Sequence, residues 1–72
     1  MSKYTLKVND NINCKFDIQE ASKILANGDY LAIYTSNDIT KQGIVGVLDS
    51  QDIQYKYVTD KGQEYILAKK NN

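Results

Sequence analysis

The chain of 72 residues contains no histidine, no arginine and only one cysteine. Without histidine, the commonest zinc ligand and the commonest general base are both missing. Without arginine, the planar fork that binds phosphates and guanine edges is missing as well. The segment that contains the aspartates at 49, 52 and 60 lacks the glycine and the glutamate that a calcium-binding loop requires. These aspartates are typical turn residues. We therefore expect no enzyme, no metal site and no other cofactor.

An excess of charge of one sign and a long apolar run are also missing. Nine lysines balance nine acids, so long-range attraction to nucleic acid or to an anionic membrane is not expected. No apolar run approaches the about 20 residues that span a bilayer, and the polar, alternating N-terminal segment is unlike a signal peptide. We expect a cytoplasmic protein with a single domain over 1–72, in which 69–72 form a frayed tail.

The first part of the chain alternates between apolar and polar residues. Apolar residues occupy every second position over 3–8 and again over 12–17, which is the pattern of half-buried strands. Asn and Asp at 9–11 favour a tight turn between them. The sequence thus predicts a β-hairpin here. Cys14, on its second strand, is interpreted as a small buried core residue, because no histidine is present to activate its thiol.

The period then changes to that of a helix. Apolar spacing predicts a helix over 18–27, with Asp17 as its N-cap and Gly28 as its stop. The remaining segments predict strands over 30–35 and 44–48, separated by a polar loop. Gly46, inside the second of these, marks a bulge or a close backbone approach.

A final hairpin within 53–69 completes the predicted fold. The expected class is α+β, with a small, mostly antiparallel sheet in the order β-β-α-β-β-β-β. One short helix packs on this sheet, and curling toward a partly open barrel is an alternative to a flat, open sheet.

The register of the final hairpin decides the role of its tyrosines. A three-residue turn at 60–62 places Tyr57 opposite Tyr65, on a more apolar face than that of Lys56. A core or core-edge role is then favoured over the stacking of bases. A turn that is one residue shorter or longer would move the side chains of one strand to the other face and would reopen the nucleic-acid interpretation.

Two functions remain open, and the leading one is a small non-enzymatic protein-interaction module. The segments 30–35 and 44–48 carry apolar residues on both faces. One short helix cannot cover both faces of the sheet, so the second face is predicted to be a docking surface. Such a protein would act as an accessory factor or inhibitor, of the kind that phages and mobile elements encode. It would bind a larger protein and self-associate, with a homodimer favoured. The predicted contacts are Tyr30, Tyr34, Ile39, Val45 and Val47.

The alternative is a nucleic-acid or nucleotide-binding module that uses sheet tyrosines and lysines. Lysines on the first strand are also typical of a solvated edge that resists unwanted strand pairing, which weakens this alternative. Its predicted contacts are Lys3, Lys7, Lys15, Tyr55, Lys56 and Tyr57.

Overall fold

A computed structural model describes residues 2–9 and 14–70. These residues form a small α+β fold, as predicted, with a four-stranded mixed sheet and two helices. The sheet is not closed into a barrel. The predicted element order and the single helix are wrong, for reasons that differ from segment to segment. The elements are β1 (Lys3–Lys7), α1 (Cys14–Ile24), β2 (Tyr30–Tyr34), α2 (Asp38–Ser50), β3 (Gln54–Asp60) and β4 (Gln63–Lys69).

The strand order β1-β2-β4-β3 places both helices on one side of the sheet. β1 runs parallel to β2, and β4 runs antiparallel to both of its neighbours, so β3 is parallel to β2. The chain crosses from β1 to β2 through α1 and from β2 to β3 through α2, in the same direction across the sheet. Crossovers between parallel strands are right-handed almost without exception. Because both crossovers have the same hand and run in the same direction, α1 and α2 lie on the same side of the sheet. The other side has no covering element among the described residues.

The core fills the space between the sheet and the two helices. Its largest side chains are about 2% exposed or less, and burying each of them stabilises the fold by about 1.5–3 kcal/mol. Residues from both helices meet residues from β2 and β4 in one cluster. These large core residues are Val8, Ile18, Leu31, Ile33, Ile44, Leu48 and Ile66.

The predicted strand over 12–17 is wrong where the structure describes it, because the chain is helical from Cys14. Cys14 and Ile18 are buried and lie four residues apart on one side of the helix. Leu25, just after the helix, is buried in the same core cluster. Phe16, which a strand would bury with them, is 65% exposed. Apolar residues at these spacings satisfy both periods, so alternation alone could not distinguish them. The rest of the predicted turn and strand, at 10–13, lies outside the described residues.

The predicted strand over 44–48 is also wrong, since this segment belongs to α2. The helix begins at a cap, where Oδ1 of Asn37 accepts hydrogen bonds from the N–H groups of Ile39 and Thr40 at 2.8 and 3.1 Å. Thr40, Ile44 and Leu48 then form a buried stripe four residues apart. Its β-branched residues favour a strand and its glycines disfavour a helix by propensity, but the amphipathic stripe and the cap prevail.

The final hairpin turns through two residues rather than the predicted three. Lys61 and Gly62 both have positive φ, 53° and 80°, as two-residue hairpin turns with a type I′ twist require. The turn pairs Asp60 with Gln63 and therefore Val58 with Tyr65. The predicted pairing of Tyr57 with Tyr65 is wrong by one position, and every side chain of β3 changes face relative to β4.

Asp29 joins three separated parts of the chain. Its carboxylate accepts hydrogen bonds from the N–H groups of Ser2, before β1, and Ala26, after α1, at 2.9 and 3.0 Å. Its backbone carbonyl accepts one from the N–H of Lys70, after β4, at 3.1 Å. The bonds from Ser2 and then Ala26 hold the pKa of Asp29 below its ordinary value.

The residues that were predicted to form a frayed tail are partly in contact with the fold. Lys69 ends β4. Nζ of Lys70 donates to the carbonyls of Ser22 and Leu25, at 2.8 and 3.0 Å, where α1 ends. A lysine at this position satisfies helix carbonyls that have no intrahelical partner. Residues 71–72 lie outside the described residues.

Candidate functional site

The sheet has one face packed on the helices and one face turned away from them. Side chains alternate between the two faces along each strand, and the pairings of neighbouring strands determine which residues share a face. We call the uncovered side the open face. Its residues are Lys3, Thr5 and Lys7 on β1, Tyr30, Ala32 and Tyr34 on β2, Gln63, Tyr65, Leu67 and Lys69 on β4, and Gln54, Lys56, Val58 and Asp60 on β3.

A pair of stacked tyrosines lies at one end of the open face, where β1 and β2 end. The rings of Tyr34 and Tyr65 are 4.8 Å apart between centroids and inclined by 31°. Tyr65 is 9% exposed, whereas Tyr34 is half-buried, so the ring of Tyr34 is the more accessible of the two. Nζ of Lys3 lies 5.4 Å from the centroid of Tyr65, within the range of a cation–π contact.

A shallow cavity lies at the other end of the open face. Its volume is about 210 Å³ and its walls include Tyr30 and Leu67, with Lys56 and Lys69 beside them. Nζ of Lys69 lies 5.6 Å from the centroid of the Tyr30 ring. The cavity thus combines an accessible aromatic ring, an aliphatic floor and two ammonium groups.

The open face carries a net positive charge, although the whole chain is neutral. Four lysines and one acid, Asp60, lie on it, which gives 4 − 1 = +3. The acids of the helices, such as Asp17, Glu20 and Asp49, lie on elements that pack against the other side of the sheet. A neutral chain therefore carries a positive face, and zero net charge conceals this separation.

One end of the sheet holds a second, polar cleft of about 390 Å³. Nζ of Lys41, on α2, donates a hydrogen bond to Oε1 of Glu64, on β4. This bond raises the pKa of Lys41 above its ordinary value. The same ammonium lies 5.8 Å from the ring centroid of Tyr57. Because Lys41 is held by Glu64, it is less available to a ligand than the lysines of the open face.

The structure brings together half of the residues predicted for nucleic-acid contact. Lys3, Lys7 and Lys56 lie on the open face. The other three do not join them, since Lys15 is on α1 and the two β3 tyrosines point toward the helix side. There the rings of Tyr55 and Tyr57 meet edge to face, 6.2 Å apart.

The environment of Tyr55 also differs from that of the tyrosines on the open face. Tyr55 is half-buried at the edge of the core. Burial, and then the neighbouring carboxylate of Asp49, raise its pKa above the ordinary value. Tyr55 therefore contributes to packing under α2 rather than to an accessible surface.

Sequence reasoning missed the tyrosines that do lie beside the lysines. Tyr30 and Tyr34 were predicted only as protein contacts, while Tyr65 and Lys69 belonged to no predicted site. The signal that could have found them was the turn: a Lys-Gly pair at 61–62 also fits a two-residue hairpin, which places Lys56 and Tyr65 on one face.

The residues predicted for protein contact do not form one surface. Tyr30 and Tyr34 lie on the open face, whereas Val45 and Val47 lie on α2, half-buried on the other side of the sheet. Ile39, in the first turn of α2, is 67% exposed. The segment of Val45 has no uncovered strand face, because it is a helix whose main apolar stripe packs in the core.

Several other kinds of site have no support in the described part of the chain. Its residues contain no cluster of three or more His, Cys, Asp or Glu side chains that could hold a metal ion. Cys14 is buried at 4% exposure in the core. No helix among the described residues has the length and apolar character needed to cross a membrane.

Comparison of the chain with known protein families, with curated proteins and with solved structures finds no match.

Proposed function

We propose that the protein is a non-enzymatic module that binds single-stranded nucleic acid on the open face of its sheet. The observation that supports this proposal is the joint presence of accessible tyrosines and four lysines on one uncovered, positively charged face. Proteins that bind single strands without strong sequence preference combine aromatic stacking platforms with a positive surface that follows the backbone.

The stacking part of the proposal rests on Tyr30 and Tyr34. Both rings are half-buried on β2, so one side of each packs on the sheet and part of each remains accessible. The ring of Tyr65 packs against the ring of Tyr34, with 4.8 Å between their centroids. A base stacked on such a ring contributes about 1–3 kcal/mol to binding.

The electrostatic part rests on the four lysines that surround these rings. Lys3 and Lys7 lie on one edge strand, Lys56 on the other, and Lys69 between them. Four strands spaced about 4.8 Å apart span about 14 Å, so a short strand of nucleic acid would contact both edges. With no arginine in the chain, the planar guanidinium contact with guanine is absent, and binding should tolerate different sequences.

The first experiment measures the binding of a labelled oligodeoxythymidine of about 12 nucleotides by fluorescence anisotropy at several salt concentrations. If four lysines each neutralise a phosphate, log K falls against log salt with a slope of about −0.7 per phosphate, or about −3 in total. The absence of binding at low salt would refute the proposal. A slope near zero would exclude phosphate contact by the lysines.

Matched variants locate the site. Lys56→Glu should weaken binding roughly tenfold, while Lys15→Glu, which makes the same change of charge on α1, should have little effect. Tyr30→Ala should lose about 1–3 kcal/mol of stacking, whereas Tyr57→Ala, on the helix side of the sheet, should not. Equal effects within either pair would place binding elsewhere on the molecule.

A further inference from the structure

The outer edge of β1 presents backbone groups that no described strand pairs with. Backbone N–H and C=O groups alternate between the two sides of a strand. Tyr30 donates to the carbonyl of Ser2 at 2.8 Å, and Val8 donates to the carbonyl of Tyr34 at 3.0 Å. The even-numbered residues of this segment therefore face β2, and the N–H and C=O groups of Lys3, Thr5 and Lys7 point outward.

An apolar groove lies directly beneath this edge, on the helix side of the sheet. Its volume is about 310 Å³, and Tyr4, Leu6 and Ile24 are among its walls. Ile24, on α1, is 69% exposed and Tyr4 is 39% exposed, although both are large apolar side chains. An unpaired edge beside such a groove offers both backbone hydrogen bonds and side-chain pockets, which are the two requirements for strand addition.

We propose that β1 binds an extended segment of a partner protein as a fifth strand. Side chains of adjacent strands that lie opposite each other share a face. The partner residues beside Tyr4 and Leu6 would then enter the groove, where apolar side chains fit. Those beside Lys3 and Lys7 would lie on the positive side of the sheet, where carboxylates fit.

The acidic residues of the groove favour the same arrangement of the partner segment, with its apolar side chains in the groove and its carboxylates on the lysine side. Asp17 and Glu20, on α1, also line the groove, so acidic side chains are disfavoured there and belong on the lysine side. The partner segment is therefore one in which acidic residues alternate with apolar ones. This inference rests on the edge and the groove, and it does not depend on nucleic acid binding to the open face.

A second copy of the chain is a poorer occupant of the same edge. An antiparallel pairing of two β1 strands centred on Thr5 would place Lys3 of each copy opposite Lys7 of the other, on one face. Like charges directly opposite each other destabilise a sheet. Charge complementarity thus favours a different, acidic segment over self-association through β1.

The test uses a capped peptide with the sequence Gly-Glu-Val-Thr-Val-Glu-Gly, whose pattern is the same in both directions and so presumes neither parallel nor antiparallel addition. Titration into the labelled protein, followed by amide NMR shifts, should perturb β1 and the groove residues of α1 in a saturable way. Amide hydrogen exchange at Lys3, Thr5 and Lys7 should slow when the peptide is bound. A control peptide with lysines in place of the glutamates should bind at least tenfold more weakly.

Two variants with different mechanisms keep the test independent of folding defects. Thr5→Pro removes an outward N–H donor from an edge strand, where proline is tolerated, and Ile24→Ser removes an exposed groove wall. Each should weaken peptide binding at least tenfold while the circular dichroism spectrum is unchanged. Equal binding of both peptides, shifts confined to the open face, or no shift at millimolar peptide would overturn the proposal.

Discussion

Two glycine-to-alanine substitutions should change stability in opposite directions. Gly62 has a φ of 80°, in the left-handed region, whereas Gly46 lies inside α2 and has no positive φ. At neither position would an added Cβ come within 4 Å of another side chain or strand. Any change in the free energy of unfolding therefore comes from backbone preference alone, which makes each variant the control for the other.

The expected magnitudes are similar and their signs differ. An L-residue in the left-handed region is disfavoured by about 1–2 kcal/mol, and the lower entropy of the unfolded chain offsets part of this, so Gly62→Ala should lose about 1 kcal/mol. Gly46→Ala should gain about 0.8–1 kcal/mol, the difference in helix propensity. For a domain of this size, 1 kcal/mol corresponds to about 4–8 °C in Tm.

Urea and thermal unfolding, followed by circular dichroism, measure both changes. The urea midpoint should fall for Gly62→Ala and rise for Gly46→Ala, with the dependence on urea unchanged. The double variant should lie near the original protein, since distant sites add. A loss of stability in Gly46→Ala would show that its segment is not a helix. No change in Gly62→Ala would show that the turn, and with it the composition of the open face, has been assigned incorrectly.

Two further changes test single side chains. Oγ1 of Thr40 is buried without a hydrogen-bond partner among the described residues, so Thr40→Val should stabilise the fold by about 1 kcal/mol in urea unfolding, and a loss would contradict this. The pKa of Asp29 is lower in the folded state than in the unfolded state, so its stabilisation is complete above the unfolded value of about 3.9. It disappears as pH falls through the folded value. The stability difference between the original protein and Asp29→Asn should therefore shrink from pH 7 to acid, and a constant difference would refute this.

Two strands were accessible from sequence, β1 because its alternation is regular and β2 because it is rich in β-branched and aromatic residues. β1 and β2 begin at the predicted residues, Lys3 and Tyr30, and end within one residue of the predicted bounds. Residues 14–17 and 44–48 were not accessible in the same way. Their apolar residues satisfy strand and helix spacings together, and only packing against a common core decides between the two.

The candidate site depended on one residue of turn length. Three residues at the hairpin would place Tyr57 beside Tyr65, and two place Val58 there instead. Glycine at 62 is compatible with either turn. The local sequence therefore leaves two registers open. The structure has the register that places Tyr55 of β3 beside buried Ala68 of β4, so that Tyr55 packs against the core.

The position of β4 has a consequence for how the chain acquires its structure. β4 is the last of the described strands in sequence, yet it lies in the interior of the sheet, between β2 and β3. Its pairing with β2 joins residues as far apart as Tyr30 and Lys69. During synthesis, the backbone groups of Leu31 and Ile33 that pair with β4 have no strand partner until β4 leaves the ribosome. Folding to the complete sheet is therefore a late step. A chain that stops after β3 has the β1-β2 pair and a β3 strand without a partner among the described strands, so it lacks a continuous open face.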